Sequence, residues 1–218
     1  MNKMNKYFVV LLFVVFASGT TGVGQDMDYS KLGIETQNCL VPQGLKPGDK
    51  APDFAGYDQK GNHVQSKKIL ESGPIVLFFY RGKWSQTCSK YLDDYQDSIH
   101  ILKDMGVNVV AVTPESIENV EQTVNLHNLT FTVIYDCQEQ IMKDYDVMFN
   151  VTKDYQEMIL SNLSINIAVN NGRDVPRLPV PATYIINREG IIVAVHFDPD
   201  YRNRATVSWM IRNLASAL

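Results

Sequence analysis

Residues 78–88 read FFYRGKWSQTC. Upstream, Pro74 to Tyr80 form a continuous apolar run of β-branched and aromatic residues, the pattern of a strand buried on both faces. Downstream, Cys88, Leu92, Tyr95, Ile99 and Leu102 recur at three- and four-residue intervals, which predicts a helix from Ser85 to Lys103. The stretch is therefore a strand–loop–helix junction. Ser85 suits the N-cap, so Cys88 falls in the first helical turn. A sulfur there meets free backbone N–H groups and the positive end of the helix dipole, and both favour thiolate over thiol. Arg81 in the same loop adds a fixed positive charge, the Ser85 and Thr87 hydroxyls can hydrogen-bond the sulfur, and Trp84 can cover the site. The competing reading makes Cys88 a small apolar residue on the buried helix face, where free cysteines are common. Its place at the junction favours chemistry.

Working outward, LKPGDKAPDF (45–54) suits turns and extended chain, and FAGYDQKGNHV (54–64) two short strands around a Lys-Gly turn. SKKILES (66–72) suits a short helix. VNVVAVT (107–113) reads as a second buried strand. PESIENVEQTVNLHN (114–128) reads as a helix with Pro114 in its first turn, and FTVIYD (131–136) as a third strand with a short helix after it. Residues 149–180 hold one further helical stretch and a loop rich in Asn, Gly and Pro, and are read as an insertion. ATYIINREGIIVAVHF (182–197) is a hairpin turning at Asn187–Gly190, and Arg204–Leu218 closes the chain as a helix. Alternating strands and helices followed by a hairpin give an α/β fold with a central mixed sheet flanked by helices.

The 218 residues carry a formal charge of −4 with no run of like charge, which argues against nucleic acid and anionic membrane as partners. Lys3 and Lys6 precede an apolar core from Tyr7 to Ala17, with small residues after it. That core is well short of the ~20 residues that span a bilayer. Residues 1–24 are expected to be a cleaved export signal, with an uncleaved N-terminal anchor as the alternative, 25–45 an extension and 46–218 one domain, in a protein that is periplasmic or secreted. Three cysteines, Cys39, Cys88 and Cys137, do not make a disulfide scaffold. With no C-x-x-C and four scattered histidines, no metal site or cofactor is expected.

The junction resembles the active-site loop of peroxiredoxins of the AhpC/TSA group, and more closely a peroxiredoxin-like branch with the signature FYRGxWCPxC. LKPGDKAPDF, RLPVPATYIINREG (177–190) and FDPDYRNR (197–204) agree with it in order, so the resemblance covers residues 45–218. It implies a thioredoxin-like fold, with Val180–Pro181 as the cis-proline bond that faces the active-site cysteine. The pattern P-x-x-x-T-x-x-C places Cys88 at the peroxidatic position and Ser85 at that of the threonine, with Arg81 replacing the proline. The family arginine from a later strand would fall near Pro181 and is absent there, leaving Arg81 or Arg177 as substitutes. Ser85 also stands where C-P-x-C has its first cysteine, so a thioredoxin-like dithiol cycle lacks one sulfur.

The expected activity is thiol peroxidase chemistry on a peroxide substrate. The Cys88 sulfenic acid would be reduced by Cys137, by Cys39, or by an external thiol or thioredoxin-like reductant. Cys137 follows a central strand and is the better resolving candidate, against the alternative of a structural thiol. Cys39 can fold over the site or pair two chains, which leaves a homodimer open. The rival readings are thiol–disulfide exchange through Cys88 alone and a catalytically degenerate binding domain.

Overall fold

The computed structural model describes residues 27–37, 39–215 and 217–218; the expected export signal at 1–24 lies outside them. The strands are β1 (Ala55–Asp58), β2 (His63–Gln65), β3 (Ile75–Phe79), β4 (Asn108–Thr113), β5 (Thr132–Tyr135), β6 (Met148–Asn150), β7 (Arg177–Pro179), β8 (Ala182–Ile186) and β9 (Ile192–Phe197). The helices are α1 (Ser66–Ser72), α2 (Gln86–Asp97), α3 (Ile99–Asp104), α4 (Ile117–Leu126), α5 (Gln140–Asp144), α6 (Lys153–Leu163), α7 (Ile167–Asn170) and α8 (Val207–Leu214). Seven strands form one mixed sheet in the order β2-β1-β5-β4-β3-β8-β9, and β6 and β7 pair separately.

The uninterrupted apolar run of β3 is explained by its central place. Val76, Phe78 and Tyr80 face α2, α3 and α8, in a core with Leu92, Leu102, Met210 and Leu214. Ile75, Leu77 and Phe79 face the opposite layer, with Met142, Tyr145 and Tyr184. A third cluster joins Leu32 and Ile34 of the N-terminal segment to Phe149, Tyr155, Ile167, Leu178 and Val180. The segment read as an insertion is thus folded and carries its own core.

Topology positions the site. β3, β4 and β5 run parallel, and β9 runs the same way as β3 because β8 is antiparallel to both. The loops after β3, β4, β5 and β9, and the entry to β8, therefore meet at one sheet edge, the usual place for a site in such sheets.

Several boundaries depart from the sequence reading. The helix expected from Ser85 to Lys103 is two helices, α2 and α3, separated at Ser98. Pro114 lies ahead of the next helix, because Ser116 caps α4 by accepting the Asn119 N–H. The last helix begins at Val207, capped by Thr206, which leaves Arg204 in the preceding loop. The Val180–Pro181 bond is trans, as are all peptide bonds among the described residues, which corrects the cis expectation. Trans is the intrinsically favoured X–Pro isomer by about 0.5–1 kcal/mol. Here the chain enters Pro181 already extended, with Pro179 paired to Met148 and the Val180 N–H on the Val147 carbonyl.

Candidate active site

Ser85 has extended backbone angles and caps α2, its Oγ accepting the Cys88 N–H at 3.4 Å. Cys88 sits in the first turn with 1% of its surface exposed. The Arg204 guanidinium donates through Nη2 to Cys88 Sγ at 3.3 Å. Burial pushes the thiol pKa up; the nearby Arg204 charge and the Ser85, Arg81 and Arg204 hydrogen bonds outweigh it, so the thiol is held below its ordinary value. The sulfur is in reach of the Arg204 guanidinium protons.

Arg204 is fixed by its surroundings. Its Nε donates to the Tyr201 carbonyl at 2.8 Å, and its guanidinium lies over the Tyr91 ring of α2 at 5.7 Å. Next to it, the Ala205 carbonyl accepts the Tyr95 hydroxyl at 2.6 Å. Within the same strap, Asp198 accepts the Asp200 N–H and the Asn203 amide.

Arg81 is wholly buried (0% exposed). Its Nη1 donates to the Tyr155 hydroxyl at 3.2 Å, and the guanidinium lies 4.5 Å from the Tyr201 ring centroid and 5.3 Å from that of Phe149. Nε and Nη2 make no hydrogen bond among the described residues. Burial lowers the arginine's affinity for its proton, and Tyr155 and Cys88 act against that. Gly82, at φ +143°, makes the turn that follows; a Cβ there would sit 2.6 Å from Trp84 Nε1 and 2.9 Å from Glu115 Oε1. Glu115 is buried beneath the loop, accepting the Lys83 N–H at 3.0 Å and the Thr123 hydroxyl at 3.1 Å.

The structure thus brings together Cys88, Ser85 and Arg81 and adds Arg204, which the sequence reading missed. Thr87 is half-buried and is not among the sulfur's partners. Trp84 packs on the third apolar cluster, and Pro181 is buried at the same sheet edge. Arg177, weighed as the substitute arginine, goes elsewhere: its Nη1 donates to Glu139 at 2.7 Å and its Nε to Asn150 at 3.1 Å. All three cysteines are free. Cys137 is exposed beyond β5, lining a cleft of about 180 Å³ with Tyr57 and Tyr135. Cys39 is half-buried, its Sγ accepting the Asn150 amide at 3.1 Å. Among the described residues no cluster of three or more His, Cys, Asp or Glu could hold a metal, and no helix is long and apolar enough to cross a membrane.

A mixed sheet with a capped, cation-flanked cysteine at the carboxyl ends of its parallel strands defines a thioredoxin-fold thiol protein. The AhpC/TSA family model matches residues 47–195, and the chain belongs to the AhpC/TSA family. It is similar to peroxiredoxin Bcp of Bacillus subtilis, with 28% identity over 47% of this chain and 65% of that one. A provisionally named peroxiredoxin of Mycobacterium tuberculosis is 30% identical over 45% of this chain and 62% of its own length. The chain thus spans less than two thirds of those two relatives. The thiol-disulfide oxidoreductase ResA of Bacillus subtilis is 26% identical over 75% of each chain. Among solved structures, peroxidoxin BcpB from Mycobacterium tuberculosis superposes with a TM-score of 0.59 at 18% identity, covering 79% of this chain and 96% of that one. The fold is shared.

Proposed function

We propose that this protein is a thiol peroxidase that reduces hydroperoxides through the Cys88 thiolate. One observation carries the reading: Arg204 Nη2 lies 3.3 Å from the Cys88 sulfur, whose thiol is held below its ordinary pKa. The thiolate attacks one peroxide oxygen; an S–O bond forms as the O–O bond breaks, and the electron pair leaves on the other oxygen. That oxygen takes a proton and departs as water or alcohol, and Cys88 is oxidised to the sulfenic acid. Arg204 stabilises the charge that moves onto the departing oxygen. A thiol then attacks the sulfenic sulfur, releasing water and forming a disulfide that a second thiol reduces.

The reductant in this proposal is an external thiol, because Cys39 is engaged by Asn150 and Cys137 stands exposed on the β1–β5 side. Export of the mature chain, on the strength of residues 1–24, belongs to the same proposal. Peroxide consumption by Cys39→Ser and Cys137→Ser variants with dithiothreitol tests the assignment. Rates equal to the native chain support an external donor, and a sulfenic acid that persists in either variant, but not in the native chain, after peroxide without dithiothreitol identifies a resolving cysteine.

A second reading, thiol–disulfide exchange, is favoured by the length of the match to ResA. Against it, Ser85 occupies the place of a second sulfur three residues ahead of Cys88. Disulfide exchange by Cys88 without any reaction with peroxide would establish that reading instead.

A further inference from the structure

We infer that Tyr155, carried on α6 of the segment 149–180, is a positioning residue that orients the Arg81 guanidinium within the Cys88 site, so that this segment completes the active site. The inference rests on the peroxidase reading. Arg81 is a wholly buried cation, and no carboxylate pairs with it among the described residues. A buried guanidinium without a counter-ion is strongly unfavourable. Among the described residues its only side-chain hydrogen bond is the 3.2 Å contact to the Tyr155 hydroxyl, and Nε and Nη2 are left without partners. Tyr201, whose ring lies 4.5 Å from the guanidinium, also gives its carbonyl to Arg204, the cation on the Cys88 sulfur, and the Cys88 charge favours the protonated arginine.

The enclosure comes from three separate parts of the chain. Phe149 belongs to β6, Tyr155 to α6 and Tyr201 to the strap that also delivers Arg204. Tyr155 has little freedom of its own. Its N–H is capped by Thr152, and the Gly33 backbone approaches its ring so closely that a Cβ there would lie 2.5 Å from Cγ. The hydroxyl is thereby aimed at Arg81 from a fixed ring. Removing it leaves the guanidinium with rings on its faces and nothing to orient its plane.

The test reads the pH dependence of iodoacetamide alkylation at Cys88, followed by mass spectrometry on its own peptide. Other charged or titratable groups around the pair are Tyr80 at the end of β3, Glu115 behind it, and Asp200, Tyr201 and Arg204 on the strap. These stay unaltered in every variant. Tyr155→Phe is expected to move the midpoint upward, by less than Arg204→Met does, because the Arg81 charge stays and only its orientation is lost. In an Arg81→Met background the same substitution is expected to move it no further, because the cation it positions is gone. Arg81→Lys serves as the background if Arg81→Met does not fold. A midpoint unchanged by Tyr155→Phe, or an equal shift in both backgrounds, overturns the inference. Alkylation involves no peroxide, so either result leaves the peroxidase proposal to be judged separately by peroxide consumption.

Discussion

Arg204 and Cys88 are 116 residues apart in the chain, yet a guanidinium nitrogen of one lies 3.3 Å from the sulfur of the other. The contact exists because β3 and β9 point the same way in the sheet, so the strap after β9 falls across the start of α2. Topology, not sequence proximity, supplies the cation.

Replacing Arg204 by Met removes the cation and a donor while keeping much of the side chain's bulk. The Cys88 midpoint should rise by about one unit or more. The second-order rate with hydrogen peroxide should fall roughly 10²-fold, the loss typical of one stabilising donor at a developing oxyanion. Stopped-flow kinetics and alkylation profiles measure the two effects on the same sample.

Ser85→Ala should act twice. Losing the cap costs about 1 kcal/mol of stability, read from urea unfolding. Losing the hydroxyl, which helps hold the Cys88 thiol pKa down, shifts the alkylation profile to higher pH in the same direction as the arginine variant.

The thiol's folded pKa is depressed below its unfolded value, so its ionisation stabilises the folded state above the unfolded pKa. That contribution is lost as pH falls through the folded pKa. Between those two values stability should rise with pH in the native chain and stay flatter in Cys88→Ser, measured by urea unfolding at several pH values with a reductant present. Glu115 has the opposite sign. Burial raises its carboxyl pKa, so its stabilising contribution is complete below the unfolded carboxylate value and disappears as pH rises through the folded one. Glu115→Gln should therefore weaken the pH dependence on the acid side.

Gly82→Ala tests the loop itself. The new methyl group meets Trp84 and Glu115 at a φ of +143°, where side chains are strained. Destabilisation of about 1–3 kcal/mol is expected. The peroxide rate should fall with it, because the loop through Gly82 joins Arg81 to Ser85 and Cys88.

Much of this was legible in the sequence. The run Ile75–Phe79 and the alternation after it gave the sheet, and Ser85 with Cys88 gave the start of α2, because those signals are local. Arg204 was not legible as a site residue. It stood inside FDPDYRNR, a stretch that carried the resemblance, but nothing local distinguishes it from Arg202, which pairs with Asp200. Arg81 was recognised as a charge near the sulfur, whereas its enclosure by Phe149, Tyr155 and Tyr201 depends on long-range packing. The paired strands β6 and β7 were missed because each has three residues, too few to show a period. Pro181 was assigned a cis bond from resemblance alone, and the extended chain on both sides of it is joined by the trans form.

The most direct measurement is peroxide consumption with a thiol donor by the native chain and by Cys88→Ser. The account predicts steady turnover in the first and only the uncatalysed background in the second, with a dimedone adduct trapped on Cys88 of the native chain alone. Equal consumption by both chains would contradict it.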